Sequence, residues 1–321
     1  MFERVFKLSE HKTTVKTEVM AGITTFMTMA YILAVNPSVL GSTGMDTTAV
    51  LLATALASCL GTLCMAFMAN LPFALSAGMG LNAFMAYTVV AGYGYSWQVA
   101  LLAVFIEGLI FIVLSLTNIR EAIFNAIPLT LKKGVSVGIG LFIAFIGLQN
   151  SGLCVDSATL VGIISFPENF HTAGICALLT LIGLFFTAVF YTRKMKGAIL
   201  YGILLTWILG MICQVTGLYV PTPDAGFYSL FPSWGMTDFS KLGLTFGQCF
   251  NVDFSAVGIV NFIVVIFSFL FVDIFDTLGT LIGVATKAKM LDKDGKLPGI
   301  KPALLADSIA TSAGAILGTS T

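Results

Sequence analysis

Charged residues are scarce in this sequence. Asp, Glu, Lys and Arg make up 10% of its 321 residues, whereas 57% are hydrophobic and the mean hydropathy is +0.97. A soluble domain carries roughly 25% charged residues, so a chain with so few cannot cover a water-facing surface. The composition therefore excludes a soluble enzyme, a nucleic-acid-binding protein and a disordered chain. It predicts a polytopic membrane protein that lies in a lipid bilayer.

Histidine and a basic excess are also lacking. The chain has 2 His, and its 16 Lys and Arg balance 16 Asp and Glu, which argues against a nucleic-acid partner or a polybasic patch. None of the 6 Cys has the spacing of a zinc or haem site, so we expect buried thiols and neither a metal nor another cofactor. The N-terminus is polar through Glu18, so no cleavable signal peptide is expected.

Nine apolar segments approach the roughly 20 residues that a membrane-spanning helix needs. They cover about 19–40, 48–69, 72–91, 97–117, 134–150, 173–192, 197–217, 256–286 and 302–318. The third segment is interrupted by Pro72, Gly78 and Gly80, so we predict a short extended stretch followed by a half-helix that begins near Gly80. The expected fold class is an all-α polytopic membrane protein.

The distribution of Lys and Arg predicts the orientation of these spans. If the N-terminus is cytoplasmic, nine spans place 15 of the 16 basic residues inside and leave only Lys241 outside. The inside residues are Arg4, Lys7, Lys12, Lys16, Arg120, Lys132, Lys133, Arg193, Lys194, Lys196, Lys287, Lys289, Lys293, Lys296 and Lys301. The loops 151–172 and 218–255 are then external.

A weak internal repeat relates the second span to the ninth. Residues 51–61 (LLATALASCLG) and 304–314 (LLADSIATSAG) share five of eleven residues at an offset of 253. The offset corresponds to seven spans, an odd number, so the second copy starts on the opposite side of the membrane. Such inverted repeats are the usual construction of secondary transporters.

The repeat divides the chain into three parts. Residues 1–217 form the first repeat with spans one to seven, 218–255 form an external loop, and 256–321 begin the second repeat with spans eight, nine and the start of ten. A complete second half needs several more spans. We therefore expect the chain to be part of a longer protein.

Acidic residues within the spans are the first candidates for function, because a charge at the bilayer centre costs about 2.5–3.5 kcal/mol even on the lenient insertion scale. Asp273 and Asp276 lie three residues apart, which places them on one face of a helix with no Lys or Arg in any span. We interpret this pair as functional. Asp307 fits either a structural contact near the cytoplasmic end of its span or a function. For Glu107 we favour a packing role.

The interrupted third span supplies polar backbone and an amide. Irregular backbone at membrane depth is tolerated where it is buried in protein or lines a cavity. A half-helix starting at Gly80 directs free N–H groups at a ligand, Asn82 adds two donors and an acceptor, and Phe73 and Phe84 can stack on a planar ring. Thr28 adds a hydroxyl from span one, unless it bonds to its own helix. These groups favour a planar solute with polar edges.

Three motifs together resemble the azaguanine-type purine permeases, the adenine/guanine/hypoxanthine branch of the nucleobase–cation symporters. They are residues 22–31 (GITTFMTMAY) followed by Val35-Asn36-Pro37, residues 77–83 (AGMGLNA), and residues 271–280 (FVDIFDTLGT). The resemblance covers the whole chain.

The resemblance implies fourteen spans in two inverted halves of seven, arranged as a core and a gate domain. It implies that Asp273 contacts the purine, that Asn82 lines the site from the third span, and that Asp276 serves transport or proton coupling. From the residues themselves we add Gly80, Phe84 and Thr28 to the expected substrate site, and we expect Asp273 and Asp276 to share the coupled proton. The family's substrate-binding Glu in span ten lies beyond Thr321. H⁺ rather than Na⁺ is implied as the coupling ion.

The function we expect is proton-coupled import of hypoxanthine, guanine or adenine through a bacterial inner membrane, with a cytoplasmic N-terminus. The lipid bilayer is the other expected partner, and a homodimer is left open. The alternative is an anion exchanger or channel on the same inverted-repeat scaffold, since a half-helix N-terminus can hold an anion. A membrane enzyme is disfavoured, because His11 and His171 lie outside the spans and no nucleophile–base pair is evident.

Overall fold

Long apolar helices dominate the computed structural model, which describes residues 2–11, 13–117, 119–158, 160–232, 235, 237–254, 257–292 and 297–320. Within these residues, 8 helices are long and apolar enough to cross a membrane. They are Val15–Gly41, Thr47–Ala69, Trp97–Leu116, Lys133–Asn150, Phe166–Thr192, Ala198–Val215, Ile259–Lys287 and Ile300–Leu317. The chain is an all-α polytopic membrane protein, as the composition predicts.

The elements follow one another in this order. The α-helices are α1 (Phe2–Phe6), α2 (Val15–Met29), α3 (Ile32–Gly41), α4 (Thr47–Cys64), α5 (Met79–Ala83), α6 (Trp97–Leu116), α7 (Ile119–Ala126), α8 (Leu129–Asn150), α9 (Phe166–Asn169), α10 (Ile175–Thr192), α11 (Ala198–Val215), α12 (Ile259–Lys287) and α13 (Ile300–Leu317). Three π-helical stretches adjoin these helices: Met65–Ala69 extends α4, Phe84–Gly92 extends α5, and Phe170–Gly174 precedes α10. Short 3₁₀ turns cover Pro223–Ala225, Phe239–Leu244 and Gln248–Phe250.

The interruption predicted in the third span is present. The helix of the second span ends at Ala69, and Asn70 after it adopts a left-handed conformation with φ of 51°. Residues 70–78 are non-helical, and α5 begins at Met79, one residue before the predicted start. Pro72 has no N–H to donate within a helix, which favours this extended stretch.

Two local features depart from the sequence predictions. Strands β1 (Val155–Ser157) and β2 (Leu160–Gly162) pair antiparallel in the loop 151–172, where no regular structure was predicted. The first span is divided into α2 and α3 at Ala30 and Tyr31. Strands of three residues are too short to show an alternating pattern, which is why the sequence does not reveal the hairpin.

Some residues that enter the charge count cannot be compared with the structure. Lys12, Lys293 and Lys296 lie outside the described residues, as does Thr321 at the predicted start of span ten. The orientation of the spans and the repeats at 1–217 and 256–321 stay predictions.

Two units are distinguishable by their internal contacts. The first comprises residues 1–22, 29–140 and 237–321. In this unit α13 packs against both α4 and α6. Small residues permit these contacts, because a Cβ on Gly61 of α4 would lie 2.9 Å from the Cβ of Ala310, and one on Gly108 of α6 would lie 2.9 Å from the backbone N of Ser312.

The second unit comprises residues 23–28 and 141–236. Its helices α10 and α11 pack through two reciprocal contacts, in which Gly183 abuts Thr206 and Gly202 abuts Thr187. Each threonine hydroxyl donates to the carbonyl of the glycine four residues before it in its own helix. The small glycines thus allow a close approach of the two helices.

Asp46 fixes the start of α4. Its carboxylate caps the helix by accepting a hydrogen bond from the Ala49 amide at 2.9 Å, and it also pairs with Lys241 at 3.2 Å. The hydrogen bond from Ala49, together with the nearby Lys241, holds the pKa of Asp46 below its ordinary value. A lowered pKa means that Asp46 stabilises the fold above the unfolded-state pKa of about 3.9, and that this stabilisation is lost as the pH falls through the lowered value.

Asp46→Ala should lower the stability of the protein by about 1 kcal/mol, because the helix loses its N-cap. Asp46→Asn should retain nearly all of it, since Asn caps as well as Asp and the half-exposed ion pair contributes little. Thermal unfolding of the detergent-solubilised protein measures both, and the deficit of Asp46→Ala should be constant between about pH 5 and 8. Equal losses in the two variants would contradict the cap as the main contribution.

Candidate functional site

Helix α12 holds two acidic residues near the centre of its 29 residues. Asp273 is 4% exposed, and Asp276, one turn further along, is half-buried. Their spacing puts them on the same side of the helix, as predicted. Apolar residues flank the pair on both sides along the helix, and the two carboxyl groups therefore lie far from both helix ends.

The hydroxyl of Thr277 connects two of the acids. Its Oγ1 lies 3.2 Å from Oδ1 of Asp273 and 3.1 Å from Oδ2 of Asp307 in α13. A threonine hydroxyl carries a single hydrogen. It can therefore donate fully to one carboxylate only, and the second contact becomes a hydrogen bond when that carboxyl group carries a proton. The arrangement suits three groups that share one added proton.

Asp307 lies in the middle of α13, rather than near the end of its span. It interacts electrostatically with Asp276 and contacts Thr277, so the structure joins it to the acids of α12. Sequence reasoning left its role open between packing and function. The predicted repeat contains a signal for Asp307, because its offset of 253 aligns Asp307 with Thr54 and so puts a carboxyl group opposite a hydroxyl.

Asn82 and Gly80 lie at the start of the half-helix. Asn82 is 0% exposed, and neither its Oδ1 nor its Nδ2 has a hydrogen-bond partner among the described residues. A buried amide without a partner is costly, by about 1–3 kcal/mol for each group. A Cβ on Gly80 would meet nothing within 4 Å, so there is open space beside this first turn. Both observations fit a site that receives a polar ligand.

Phe84 connects the half-helix to α12. Its ring packs edge-on against Phe269, with the centroids 4.9 Å apart and the planes at 82°. Phe269 is fully buried and lies one turn before Asp273, whereas Gly80 lies one turn before Phe84. The aromatic pair therefore fixes the third span against the helix that carries the acids. Phe84 is half-buried, so part of its ring remains accessible.

The other candidates have different surroundings. Phe73 belongs to an apolar cluster with residues of α12 and α13, which favours packing over stacking on a ligand. Thr28 lies in the second unit, and its hydroxyl donates to the Thr24 and Thr25 carbonyls of its own helix. Glu107 is fully buried in α6. Within the described part of the chain, no group of three or more His, Cys, Asp or Glu side chains could hold a metal ion.

Comparison with known proteins gives a consistent picture. The sequence profile of the permease family Xan_ur_permease matches residues 16–321. A permease of Methanocaldococcus jannaschii is 47% identical over 99% of this chain and 68% of its own length. The adenine permease AdeP of Escherichia coli is 40% identical over 100% of this chain and 67% of its own. The guanine/hypoxanthine permease PbuG of Bacillus subtilis is 45% identical over 98% of this chain and 69% of its own length. The chain thus spans about two thirds of these relatives.

Two glycine substitutions distinguish the open half-helix from the packed helices. Gly80→Ala should leave thermal stability unchanged or slightly raised, because its Cβ meets open space and Ala favours helix by up to about 1 kcal/mol. Gly108→Ala should lower stability by about 1–3 kcal/mol, because its Cβ collides with Ser312 of α13. Unfolding of both purified variants measures the difference. A comparable loss in Gly80→Ala would contradict open space at that position.

Proposed function

The chain belongs to this permease family and is a transporter rather than an enzyme, and from this premise we propose that it imports purine nucleobases together with protons. Relatives named as adenine and guanine/hypoxanthine permeases support the substrate class. The observation that carries the proposal is the buried, unpartnered amide of Asn82 on a half-helix that packs against the acid-bearing α12.

The proposed substrate site lies between the first turn of the half-helix and the centre of α12. The third and eighth spans cross the membrane in opposite directions if every span crosses once. Moving inward from the contact of Phe84 with Phe269, the half-helix then reaches Gly80 and α12 reaches Asp273, each after one turn. This topology supports a site in which Gly80 and Asp273 lie at the same depth.

The chemistry of these groups matches the edge of a purine. A purine base is planar, uncharged, and carries ring N–H donors beside nitrogen and oxygen acceptors. The Asn82 amide offers two donors and one acceptor, and the Asp273 carboxylate accepts from a ring N–H. A base bound there supplies the hydrogen bonds that Asn82 does not make with the described residues, and the accessible part of Phe84 covers one face. Thr28 stays a candidate from the sequence.

Proton coupling is assigned to Asp273 and Asp276. A charged carboxyl group at the centre of a spanning helix costs about 2.5–3.5 kcal/mol, so protonation makes reorientation of the loaded carrier cheaper. The contacts of Thr277 with Asp273 and Asp307 support one shared proton in this group of acids. Proton entry from outside and release inside then drive import of the base.

The orientation follows from the positive-inside rule. We place the N-terminus in the cytoplasm of a bacterial cell, with the protein in its inner membrane and the loops at 151–172 and 218–255 outside. The 15 basic residues on one side of the predicted topology support this choice.

The alternative is an anion exchanger or channel on the same scaffold. The N-terminal turn of the half-helix carries a partial positive charge that attracts anions. Asp273 and Asp276 across from it repel an anion, which favours the neutral base. Saturable, purine-specific flux separates the two functions.

Uptake of radiolabelled hypoxanthine, guanine and adenine tests the proposal, with the complete gene expressed in cells that lack their own purine permeases. We expect saturable uptake that a protonophore abolishes. Asp273→Asn should abolish proton-driven uptake because the amide keeps one acceptor oxygen for the base but can no longer take up and release the coupled proton. Asp276→Asn should allow exchange of internal for external base but not accumulation, because proton coupling is lost.

Two results would contradict parts of this proposal. Absence of uptake by a correctly inserted wild-type protein would refute purine transport and leave anion exchange to be tested. Full pH-dependent uptake by Asp273→Asn would remove that residue from proton coupling. Amounts of each variant in the membrane fraction serve as the control.

A further inference from the structure

One face of α4 carries a row of hydroxyl groups. Thr54, Ser58 and Thr62 follow one another at intervals of four residues, so their side chains lie one above the other along the helix. We refer to these three residues as the hydroxyl face of α4. Each of them makes a hydrogen bond outside its own helix. Ser58 and Thr62 bind residues of the non-helical stretch 70–78. Thr54 binds Asn36, which also binds Thr319 in the non-helical segment after α13.

The hydroxyls of Ser58 and Thr62 bind the extended stretch of the third span. Ser58 and Ser76 are joined through their hydroxyl oxygens at 2.7 Å. Thr62 accepts from the Leu75 amide at 3.1 Å, and its hydroxyl oxygen lies 3.3 Å from the Leu75 carbonyl to which it donates. Backbone groups outside a helix find no water in the hydrocarbon core of a membrane. Thr62 therefore supplies partners for both backbone groups of Leu75, and Ser58 holds the side chain of Ser76.

The hydroxyl of Thr54 takes part in a second contact, which reaches the segment after α13 through Asn36. The Nδ2 of Asn36 donates to Oγ1 of Thr54 at 2.7 Å and to Oγ1 of Thr319 at 2.9 Å. Thr54 donates its own hydrogen to the Val50 carbonyl at 2.6 Å, so it acts as an acceptor for Asn36. Asn36 and Thr54 are 0% exposed and Thr319 is 1% exposed, so the whole contact is buried.

The segment 318–320 is held from a second side as well. Gly318 ends α13 with φ of 99°, a conformation that favours glycine, and no side chain fits there because Thr245 occupies the space. Thr245 donates to the Leu317 carbonyl at 3.0 Å, and the Gly247 amide donates to the Ile316 carbonyl at 2.7 Å. The end of α13 is thus capped, and Asn36 binds Thr319 directly after it.

Both non-helical segments bring buried polar groups without protein partners. Asn82 follows residues 70–78, and Ser320, which is 2% exposed, has no hydrogen-bond partner for its Oγ among the described residues. The Oδ1 of Asn36 is also buried without a hydrogen-bond partner among the described residues. Buried polar atoms without a partner are costly, and a bound polar ligand can supply one. The two segments therefore have the character of two walls of one polar site.

We infer that the hydroxyl face of α4, together with Asn36, positions residues 70–78 and 318–320 as two walls of the substrate site. Thr54, Ser58 and Asn36 are then positioning residues: they set the affinity and the selectivity for purines without touching the base. This inference rests on the proposed function. It assigns to α4 the relative placement of both walls, because one rigid helix carries the contacts to each of them.

The test compares isosteric variants in the purine uptake assay with the full-length protein. Thr54→Val keeps the shape of the side chain but removes the acceptor for Asn36, and Ser58→Ala removes the contact with Ser76. Each should raise the KM for hypoxanthine about tenfold, with the maximal rate changed less than about twofold, and should alter the ratio of KM values for hypoxanthine and adenine. Thr54→Ser restores the hydroxyl and should restore the KM.

Thr180→Val is the matched control, because the Thr180 hydroxyl donates only to the Cys176 carbonyl of its own helix among the contacts described. It should leave both KM and maximal rate unchanged. A merely structural role for the hydroxyl face would lower the amount of active protein, and hence the maximal rate, without changing KM or selectivity. Should Thr54→Val fail to reach the membrane, Ser58→Ala decides the question by itself.

The outcomes separate this inference from the function on which it rests. Wild-type purine uptake with unchanged KM and selectivity in both Thr54→Val and Ser58→Ala overturns the inference and leaves the proposed function intact. A lower maximal rate alone in both variants overturns it as well. Absence of uptake by the wild-type protein refutes the proposed function itself, and the inference falls with it.

Discussion

The absence of water from the bilayer core is the constraint on which the rest of this structure depends. Every backbone N–H and C=O at that depth needs a partner within the protein, which is why the chain consists of long helices. Residues 70–78 depart from helical structure, and among them the backbone of Leu75 and the side chain of Ser76 bind the hydroxyls of Thr62 and Ser58 on α4. The same constraint makes buried polar side chains informative, because an amide or carboxyl group at that depth is costly unless a partner meets it, as the Thr277 hydroxyl meets Asp273.

Close helix packing brings the polar groups together. Gly61 and Gly108 allow α13 to lie against α4 and α6, and this placement brings Asp307 of α13 within reach of Thr277 of α12. The pair of Phe84 and Phe269 fixes the half-helix to the same α12. Glycines and aromatic rings thus determine the distances between the polar residues, although none of these contacts is itself polar. In this way the apolar packing supports a transport site without carrying its chemistry.

Much of this arrangement is predictable from the sequence, and the omissions have physical reasons. Scarce charge and long apolar runs predict the spans, and Pro72 with Gly78 predicts the interruption to within one residue of Met79. The acids of α12 and Asn82 are recognisable because polar side chains are conspicuous in apolar segments. The contacts of Asn36 and Thr54 are not, since Thr within a spanning helix is ordinarily satisfied by its own backbone. Contacts between residues as distant as Asn36 and Thr319 have no local signature.

The central claim is that a purine occupies the space beside the first turn of the half-helix, between Asn82 and Asp273. Protection of a cysteine at that position tests it most directly, with Gly80→Cys introduced into the full-length protein after its native cysteines have been replaced, because Gly80 borders the open space and Asn82 stays in place to bind the base. Saturating hypoxanthine should slow the reaction of this cysteine with a small thiol reagent, whereas a pyrimidine should not, and a cysteine at Thr43, in the turn after α3, should react equally in both cases. Labelling of Gly80→Cys at the same rate with and without every purine, in a protein that still binds purine, would contradict the claim.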